Sequence, residues 1–407
     1  MSFQHGLSGL SAAAAQLDVI GNNVANSNTV GFKQGQAKFA DVYASSLNGA
    51  GGAQIGIGVK LAGVVQQFSQ GKITATENSL DIAINGNGFF RMSNNGSITY
   101  SRNGQFQQDK SGYIVNATGA RLTGYTADST GALSTAAPAE LQISTADRSP
   151  QLTSTVNALL NLDSRQAVLP SAGFNLTDPT TFHHSTSVSI YDSLGNPHAL
   201  STYYLKTAPG SWDVFAAVDG TQIGAGPVGA LNFNPDGSIN TGTTTLPFST
   251  AATVTTGATS PFAFDIGFSG TTQFGSGFSV NSLDQDGFAS GRLTGFNITN
   301  DGTIQGRYTN GRSAVLGKVV IASFANPQGL EALGNNAYAE SASSGDPLVG
   351  TPGTGTLGVL QSSAVEDSNV DLTSELVNML TAQRVYQSNA QTIKTQDAVL
   401  QTLINLR

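Results

Sequence analysis

NVDLTSELVNMLTAQRVYQSNAQTIKTQDAVLQTLINL, residues 369–406, closes the chain with a long helical repeat. Its apolar residues recur at intervals that alternate between four and three positions, which is the spacing of a heptad seam. A stripe this narrow leaves most of the helix surface polar, so a partner helix is needed to bury it. The seam positions are Leu372, Leu376, Met379, Gln383, Tyr386, Ala390, Ile393, Asp397, Leu400 and Ile404.

The first residues of the chain show the same alternation. Two helices with matching apolar stripes predict that the two ends of the chain are partners, either within one molecule or between copies that assemble. Gln383 and Asp397 interrupt the C-terminal seam, and a polar residue there lowers stability while fixing the register or the number of helices. The N-terminal seam consists of Phe3, Leu7, Leu10, Ala14, Leu17, Gly21 and Val24.

The composition is typical of a β-rich structural or secreted protein. Of 407 residues, 48 are Gly and only 11% are charged, which favours turn-rich, weakly hydrated surfaces. The length is enough for roughly two to four domains. The net charge is −8 and the basic residues form no stripe, so nucleic acid is not an expected partner.

Cysteine is absent, which excludes disulfide bonds and thiolate metal sites. The first 24 residues lack both a basic region and a continuous apolar region, so the sequence predicts export without a cleavable signal peptide. No run approaches the length of apolar sequence that crosses a membrane, and we expect no membrane insertion.

Two terminal motifs resemble one family. Residues 17–33, LDVIGNNVANSNTVGFK, closely resemble the N-terminal signature of bacterial flagellar axial proteins, the rod and hook family. Residues 368–407 are similar to the C-terminal block of that family. The internal segments SLDIAINGNGFF, residues 79–90, and ASFANPQGLEALGNNAY, residues 322–338, also resemble it. Rod members are generally shorter, so the length favours the hook members.

Turn dipeptides between short alternating segments predict an all-β body. Asn85-Gly86, Asn95-Gly96 and Asn103-Gly104 are examples of this regular spacing. The style changes near residue 146 and returns near residue 283, which indicates a second β-domain inserted in the first. Within the insert, strands are expected at 155–162, 187–191, 199–206 and 212–218.

The predicted fold class is mainly β, with two nested β-domains on paired N- and C-terminal helices that form a coiled-coil-like assembly core. The expected Gly-rich linker is a flexible connector, and its stretch 45–56 has little that could pack. The predicted divisions are an N-terminal assembly helix at 1–30, the linker at 31–75, the first half of an inner β-domain at 76–145, an inserted outer β-domain at 146–282, the second inner half at 283–363 and a C-terminal assembly helix at 364–407.

No catalytic, cofactor or metal site is predicted. His183, His184 and His198, with Asp192 between them, have ligand chemistry, but adjacent histidines point to opposite faces of a strand and no further ligand has motif spacing. Residues 353–358 match GxGxxG without the strand and helix that a dinucleotide site requires.

Five phenylalanines of the insert could form either its core or an adhesive, carbohydrate-binding face. Their alternating spacing favours the core. They are Phe262, Phe264, Phe268, Phe274 and Phe278.

The resemblance implies a structural subunit that polymerises into a curved, bendable tube and transmits torque from the motor and rod to the filament. The implied partners are other copies of the chain, the rod, the hook cap, the hook–filament junction proteins and the flagellar type III export apparatus. The expected location is extracellular, in the flagellar basal body and hook, and the expected assembly interface is the apolar seam positions other than Gly21. A distal rod protein, a secreted β-rich adhesin with a helical oligomerisation tail and an enzyme on the inserted domain remain alternatives.

Overall fold

The computed structural model describes residues 2–42, 56–128 and 130–405. It divides into two compact units. Unit 1 comprises Met1–Ser144, Gly295–Arg307 and Ser313–Arg407, and unit 2 comprises Thr145–Thr294 and Tyr308–Arg312. Unit 2 therefore interrupts unit 1 in the sequence.

The first part of unit 1 begins with a helix and continues as short strands. The helix ends in the Asn-rich segment that follows it, where Asn26 N bonds to Asn22 O at 3.1 Å. The elements are α1 (Ser2–Ala25), β1 (Gly35–Val42), β2 (Gly58–Gln66), β3 (Ile73–Ala75), β4 (Ile82–Asn85), β5 (Phe89–Asn94), β6 (Ser97–Ser101), β7 (Gln107–Gln108), β8 (Ile114–Val115), β9 (Arg121–Thr126) and β10 (Ala139–Glu140).

Unit 2 is a β-sandwich with short 3₁₀ turns at Ser171–Gly173 and Pro179–Thr181. One sheet has the order β17-β18-β11-β19 and the other has the order β12-β13-β14-β15 with β16 beside β14. The strands are β11 (Thr155–Asn161), β12 (His184–Tyr191), β13 (Pro197–Ala208), β14 (Ser211–Val218), β15 (Thr221–Gln222), β16 (Gly229–Asn232), β17 (Phe248–Ala252), β18 (Phe262–Gly267) and β19 (Ser279–Gln285).

After unit 2 the chain returns to unit 1, adds strands and a 3₁₀ turn at Pro327–Gly329, and ends in a long helix. Asp371 caps that helix, because its Oδ1 accepts from Thr373 N at 2.9 Å. The elements are β20 (Leu293–Ile298), β21 (Thr303–Tyr308), β22 (Ser313–Val319), β23 (Ile321–Ser323), β24 (Glu331–Gly334), β25 (Ala337–Ala339), β26 (Leu348–Gly350), β27 (Val359–Ser362), β28 (Ala364–Glu366) and α2 (Leu372–Asn405).

The prediction of a flexible linker at 31–75 is wrong over much of that range. Strands β1 and β2 form an antiparallel hairpin from the pair Gly35↔Gln66 to the pair Val42↔Gly58, and both strands pack against α1. Glycines interrupt the apolar residues of β2, and Phe39, Leu61 and Val64 are 37, 43 and 51% exposed, so the two strands form no core of their own and α1 supplies the surface that holds them. The Gly-rich stretch 45–56 lies outside the described residues except for Gly56.

The two halves of unit 1 are joined by strand pairs and by a shared core. Strand β3 pairs with β28, and β4 pairs with β27, so the chain before unit 2 is bonded to the chain after it. Strand β23 also pairs with β5. An aromatic cluster lies behind these strands, with Phe89 and Phe324 buried and their ring centroids 5.9 Å apart. Burial of such large rings makes the split unit one folding unit.

The core of unit 2 lies between its two sheets. Trp212 and Tyr204 of one sheet and Ile266 of the other are fully buried in one cluster. Phe262, Phe264 and Phe268 are buried there as well, and Phe278 packs against the cluster, whereas Phe274 is 49% exposed. Four of the five phenylalanines therefore pack in the core, in agreement with their spacing.

The predicted end of the inserted domain at residue 282 crosses a strand. Strand β19 continues to Gln285 and pairs with β11, and the compact unit reaches Thr294. Most residues of β19 are exposed, so the composition does not distinguish them from the style of unit 1. The boundary is set by backbone pairing, which the apolar pattern does not show.

Candidate assembly surface

Helices α1 and α2 pack against each other along a line of small residues. Gly6 and Ala13 of α1 are buried, and Ala382 of α2 is 2% exposed. A Cβ atom added at Gly6 would lie 3.0 Å from Ile393 Cγ1. A Cβ atom at Gly9 would lie 2.9 Å from Asn389 Nδ2, so glycine lets the two backbones approach here.

This contact line is shifted from the predicted seam on α1. The buried positions Gly6, Ala13 and Ile20 each precede a predicted seam position by one residue. The seam was derived from large apolar residues, whereas close helix packing places small residues at the contact and leaves larger ones beside it. Gln383 and Asp397 are exposed and do not lie in the contact with α1. The pairing of the two ends is as predicted, and its register is not.

The predicted interface residues therefore fall in two groups. Phe3, Leu7, Leu372, Leu376, Tyr386 and Leu400 are exposed by 47, 50, 45, 46, 37 and 52%. Leu10, Ala14, Leu17, Val24, Met379, Ala390 and Ile393 are half-buried beside the helix contact. The side chain of Ile404 lies outside the described part of the chain. Their role in assembly remains a prediction.

Helix α2 exposes further apolar side chains that the seam does not include. Val377 and Leu380 are both 58% exposed and lie on the face opposite Ala382. Val385 and Val399 are 47% and 49% exposed. Leu372, Leu376 and Leu380 follow one another at four-residue spacing, so their exposed side chains adjoin along α2. A large exposed apolar surface marks an interaction site. We call these residues, together with the exposed seam residues above, the apolar helix surface.

A polar cluster fixes the start of α2 against the end of α1. The buried Asn23 donates from Nδ2 to Glu375 Oε2 at 3.2 Å and to Gly35 O at 2.8 Å. Gln34 Nε2 donates to Glu375 Oε1 at 2.8 Å, and Asn369 Oδ1 accepts from Gln34 N at 2.8 Å. Each buried polar group needs a hydrogen-bond partner, and here the partners lie on different elements. The bonds therefore join α1, the hairpin and α2.

A buried ion cluster joins the helical part of unit 1 to its β-strands. Lys33, which follows α1, places Nζ 2.6 Å from Glu366 Oε1, and Arg102 places Nη1 3.1 Å from Glu366 Oε2. All three side chains are at most 3% exposed. Gly71 N donates to Glu366 Oε1 at 2.9 Å, and a Cβ atom at Gly71 would meet Asp367 O, so only glycine allows this approach.

The ion cluster contains two cations and one carboxylate. Burial lowers the pKa of Lys33, and the neighbouring charge of Glu366 opposes that effect. Burial likewise lowers the pKa of Arg102, whose Nε has no hydrogen-bond partner among the described residues. The cluster is thus stable only while Glu366 is in place.

Sequence reasoning missed both polar groupings. Lys33 and Asn23 stand in the N-terminal motif and Glu366 stands just before the C-terminal one, but their contacts span more than 300 positions of sequence. The signal available was Lys33, the one basic residue of a motif whose only other charged residue is Asp18, and this does not identify a partner.

The histidines have different partners. His183 and His184 contact the Trp212 ring, with centroids 5.5 and 6.4 Å away. His198 pairs with Ile190 on the neighbouring strand and lies between two carboxylates, with Nδ1 2.6 Å from Asp219 Oδ2 and Nε2 3.3 Å from Asp192 Oδ2. Residues 353–358 form a turn in which Gly353 N bonds to Gly358 O at 2.9 Å.

Within the described ranges, no group of three or more His, Asp or Glu side chains is arranged to hold a metal ion.

Four family models match parts of the chain. The N-terminal match is to the flagella basal body rod protein model, at residues 3–33. The flagellar hook protein FlgE/F/G D1 domain matches residues 83–190, and the flagellar basal body protein FlaE D2 domain matches residues 161–288. The flagellar basal body rod FlgEFG protein C-terminal model matches residues 361–406.

Full-length relatives distinguish a hook protein from a rod protein. The chain is 42% identical to the flagellar hook protein FlgE of Salmonella typhimurium, and the match covers 100% of both chains. The chain belongs to the flagellar hook protein family. The FlgE of Escherichia coli K12 is also 42% identical over 100% of both chains, and that of Borreliella burgdorferi is 32% identical over 100% of this chain and 99% of its own.

A solved flagellar hook protein has the same fold. The crystal structure of Helicobacter pylori FlgE2 superposes with a TM-score of 0.56 at 15% identity, covering 72% of this chain and 100% of that one. The chain is a structural subunit of the flagellar hook, in preference to a distal rod protein or an adhesin. Among the described residues, no helix combines the length and the apolar character of a membrane span.

Proposed function

We propose that this hook subunit polymerises through its apolar helix surface into a curved, bendable tube that transmits torque. The observation that supports the proposal is the exposure of large apolar side chains on the paired helices, led by Val377 and Leu380 at 58% each. Contact with copies of the same helices would remove these side chains from water. Burial stabilises by about 1.5–3 kcal/mol for each large aliphatic side chain.

The bending of the tube follows from the contrast between strong and weak contacts. Unit 2 is mainly polar on its surface, and an exposed polar contact contributes only about 0.2–1 kcal/mol. Contacts of this strength exchange readily while the apolar helix contacts hold. The tube then turns by sliding its weak contacts without losing its subunits.

Torque also has to pass between the helices and the β-strands of one subunit. The ion cluster supports this role, because Lys33 follows α1, Glu366 precedes α2 and Arg102 belongs to the β-part of unit 1. A fully buried ionic contact holds one geometry, since displacement leaves charges without partners. We therefore assign to this cluster the stiffness of the junction inside each subunit.

The proposed subunit also has partners in the flagellum. The subunit acts without catalysis, contacts the rod at one end of the tube and the junction proteins at the other, and assembles beneath the hook cap. It leaves the cell through the flagellar type III export apparatus. The helices form the assembly core, with an inner β-domain and an outer one, as the sequence predicts.

Electron microscopy of the concentrated, purified protein tests the proposal. We expect curved tubes from the full chain and none after removal of residues 371–407. Leu380→Ser should also prevent tube formation without lowering the stability of the monomer, because the side chain is already exposed in it. Leu348→Ser is the matched control, since Leu348 is 64% exposed but lies on β26. Tubes formed by the truncated protein would refute the proposal.

A further inference from the structure

A polar cavity lies where α1, the β1–β2 hairpin and α2 meet. Its volume is about 450 Å³. Its walls are rich in side-chain amides and contain one carboxylate, that of Glu375. Gln16, Gln36 and Asn378 at its margin are exposed, so the cavity is open to solvent.

Glu375 is 3% exposed and has only neutral partners. Its oxygens accept from Asn23, Gln34 and Asn378, at 3.2, 2.8 and 3.4 Å. Over the residues described, no basic side chain forms a salt bridge with it. Lys38, on the neighbouring strand β1, donates to Gln36 Oε1 at 2.8 Å. A buried carboxylate without a cation is costly, and that cost grows when water leaves the site.

A guanidinium in the opposite situation lies on the same helix. Arg384 is exposed on the face of α2 that also bears Val377 and Leu380, and it forms no salt bridge with any described residue. When this apolar face is buried against another subunit, the charge of Arg384 is buried with it. Arginine then needs a carboxylate, and planar carboxylates are the acceptors that its fork of N–H donors fits.

Glu375 and Arg384 cannot satisfy each other within one molecule. They lie about 14 Å apart along α2 and on opposite faces of it. We propose that the Glu375 cavity of one subunit receives the Arg384 guanidinium of a second copy of this chain. The amide oxygens of the wall accept the N–H groups that the carboxylate does not reach.

The two residues can link subunits in a row. Each subunit offers one cavity and one guanidinium at different places, so a head-to-tail contact leaves a cavity free at one end and a guanidinium free at the other. Such a contact builds an open polymer when the rotation between subunits does not close a ring. The inference rests on the proposed polymerisation and names the charged contact that fixes the register of the apolar helix surface. Burial of apolar surface alone does not fix how two subunits are aligned, whereas a charged pair does.

The first test compares charge removal at matched positions on α2. Arg384→Gln should raise the critical concentration for polymerisation, measured by sedimentation, at least tenfold. Lys394→Gln removes the same charge from another exposed position of the helix and should change it less than twofold. Arg384→Gln does not touch the hydrogen bonds of Glu375, so loss of monomer folding does not explain its effect. Equal critical concentrations for Arg384→Gln and wild type would overturn the inference.

The second test asks whether the two residues meet between copies. In a double-mutant cycle, Glu375→Gln and Arg384→Gln together should be no worse than the more damaging single change, because they remove one contact. Arg384→Glu and Glu375→Arg should each fail to polymerise alone, whereas their equimolar mixture should form tubes in which the variants alternate. Additive effects in the cycle refute the pairing. A wild-type chain that forms no polymer refutes the proposed function itself, which makes the two failures distinguishable.

Discussion

Replacing Glu366 by Gln should destabilise unit 1 more than any surface change of equal size. Glu366 accepts from Lys33 Nζ at 2.6 Å, from Gly71 N at 2.9 Å and from Arg102 Nη1 at 3.1 Å. The glutamine keeps one acceptor but directs an NH₂ group at a cation, and two buried positive charges remain without an anion. Removing one partner of a buried ion pair costs about 3–5 kcal/mol.

The destabilisation caused by Glu366→Gln should change with pH in a defined direction. Burial already lowers the pKa of Lys33, and Glu366 opposes that shift, so the variant lowers this pKa further. With the folded pKa below the unfolded one, the unfolded chain binds more protons, and stability rises with pH across that interval. The stability difference between wild type and variant should therefore narrow from pH 7 to pH 10, as Lys33 loses its proton in the folded state.

Calorimetry combined with tryptophan fluorescence separates the loss of stability in unit 1 from any change in unit 2. The chain has 1 tryptophan, Trp212, which is buried in unit 2, so its emission reports unit 2 alone. Glu366→Gln should lower the midpoint temperature of the unfolding transition of unit 1. This is the calorimetric transition at which Trp212 emission does not change. Arg121→Gln is the control, because the Arg121–Glu140 pair lies in unit 1 with side chains 40% and 29% exposed. A loss below about 1 kcal/mol in the variant would refute a structural role for the buried charges.

Three further predictions concern the helix contact and unit 2. Gly9→Leu should separate α1 from α2 and lower the helix signal in circular dichroism, because its Cβ would already lie 2.9 Å from Asn389, whereas Gly21→Leu, with no atom within 4 Å, should not. Burial lowers the pKa of His198, but contacts with Asp219 and Asp192 outweigh it and raise this pKa, so its contribution to unit 2 is complete below about pH 6.5 and is lost as pH rises through the folded value. Trp212 melting curves at pH 5.5 and 8.5 should show this contribution as the difference between wild type and His198→Asn, because His183 and His184, whose pKa values burial lowers, are present in both proteins. A fragment of residues 145–312 should melt cooperatively by Trp212 emission, and a gradual change would show that unit 2 does not fold alone.

The sequence was informative where the physics is local. Turn dipeptides such as Asn95-Gly96 place residues with positive φ at the hairpin ends, as the structure has them. The expected strand at 212–218 is present as β14, where residues 214–218 are all buried, and a short apolar run of this kind is a local signal for a buried strand. The helix pair was predictable for the same reason, since a repeat of apolar residues depends on neighbours a few positions away.

What the sequence did not show depends on distant partners. Gly6 and Gly9 look like weak points of a helix until the neighbouring Asn389 and Ile393 explain them. Glu366 is one acidic residue among many until the fold brings Lys33 and Arg102 to it. The hairpin in the expected linker depends on α1 in the same way. Such features are set by tertiary contact, which no periodicity encodes.

The helix pair also sets when folding of unit 1 can finish. Asn23 of α1 meets Glu375 of α2 across 352 positions of sequence. This contact cannot form until both segments of one chain are present together, whatever strands have already paired between them. If the paired helices are the assembly surface, as proposed, a chain that lacks α2 has no such surface to offer its neighbours, however well its strands fold.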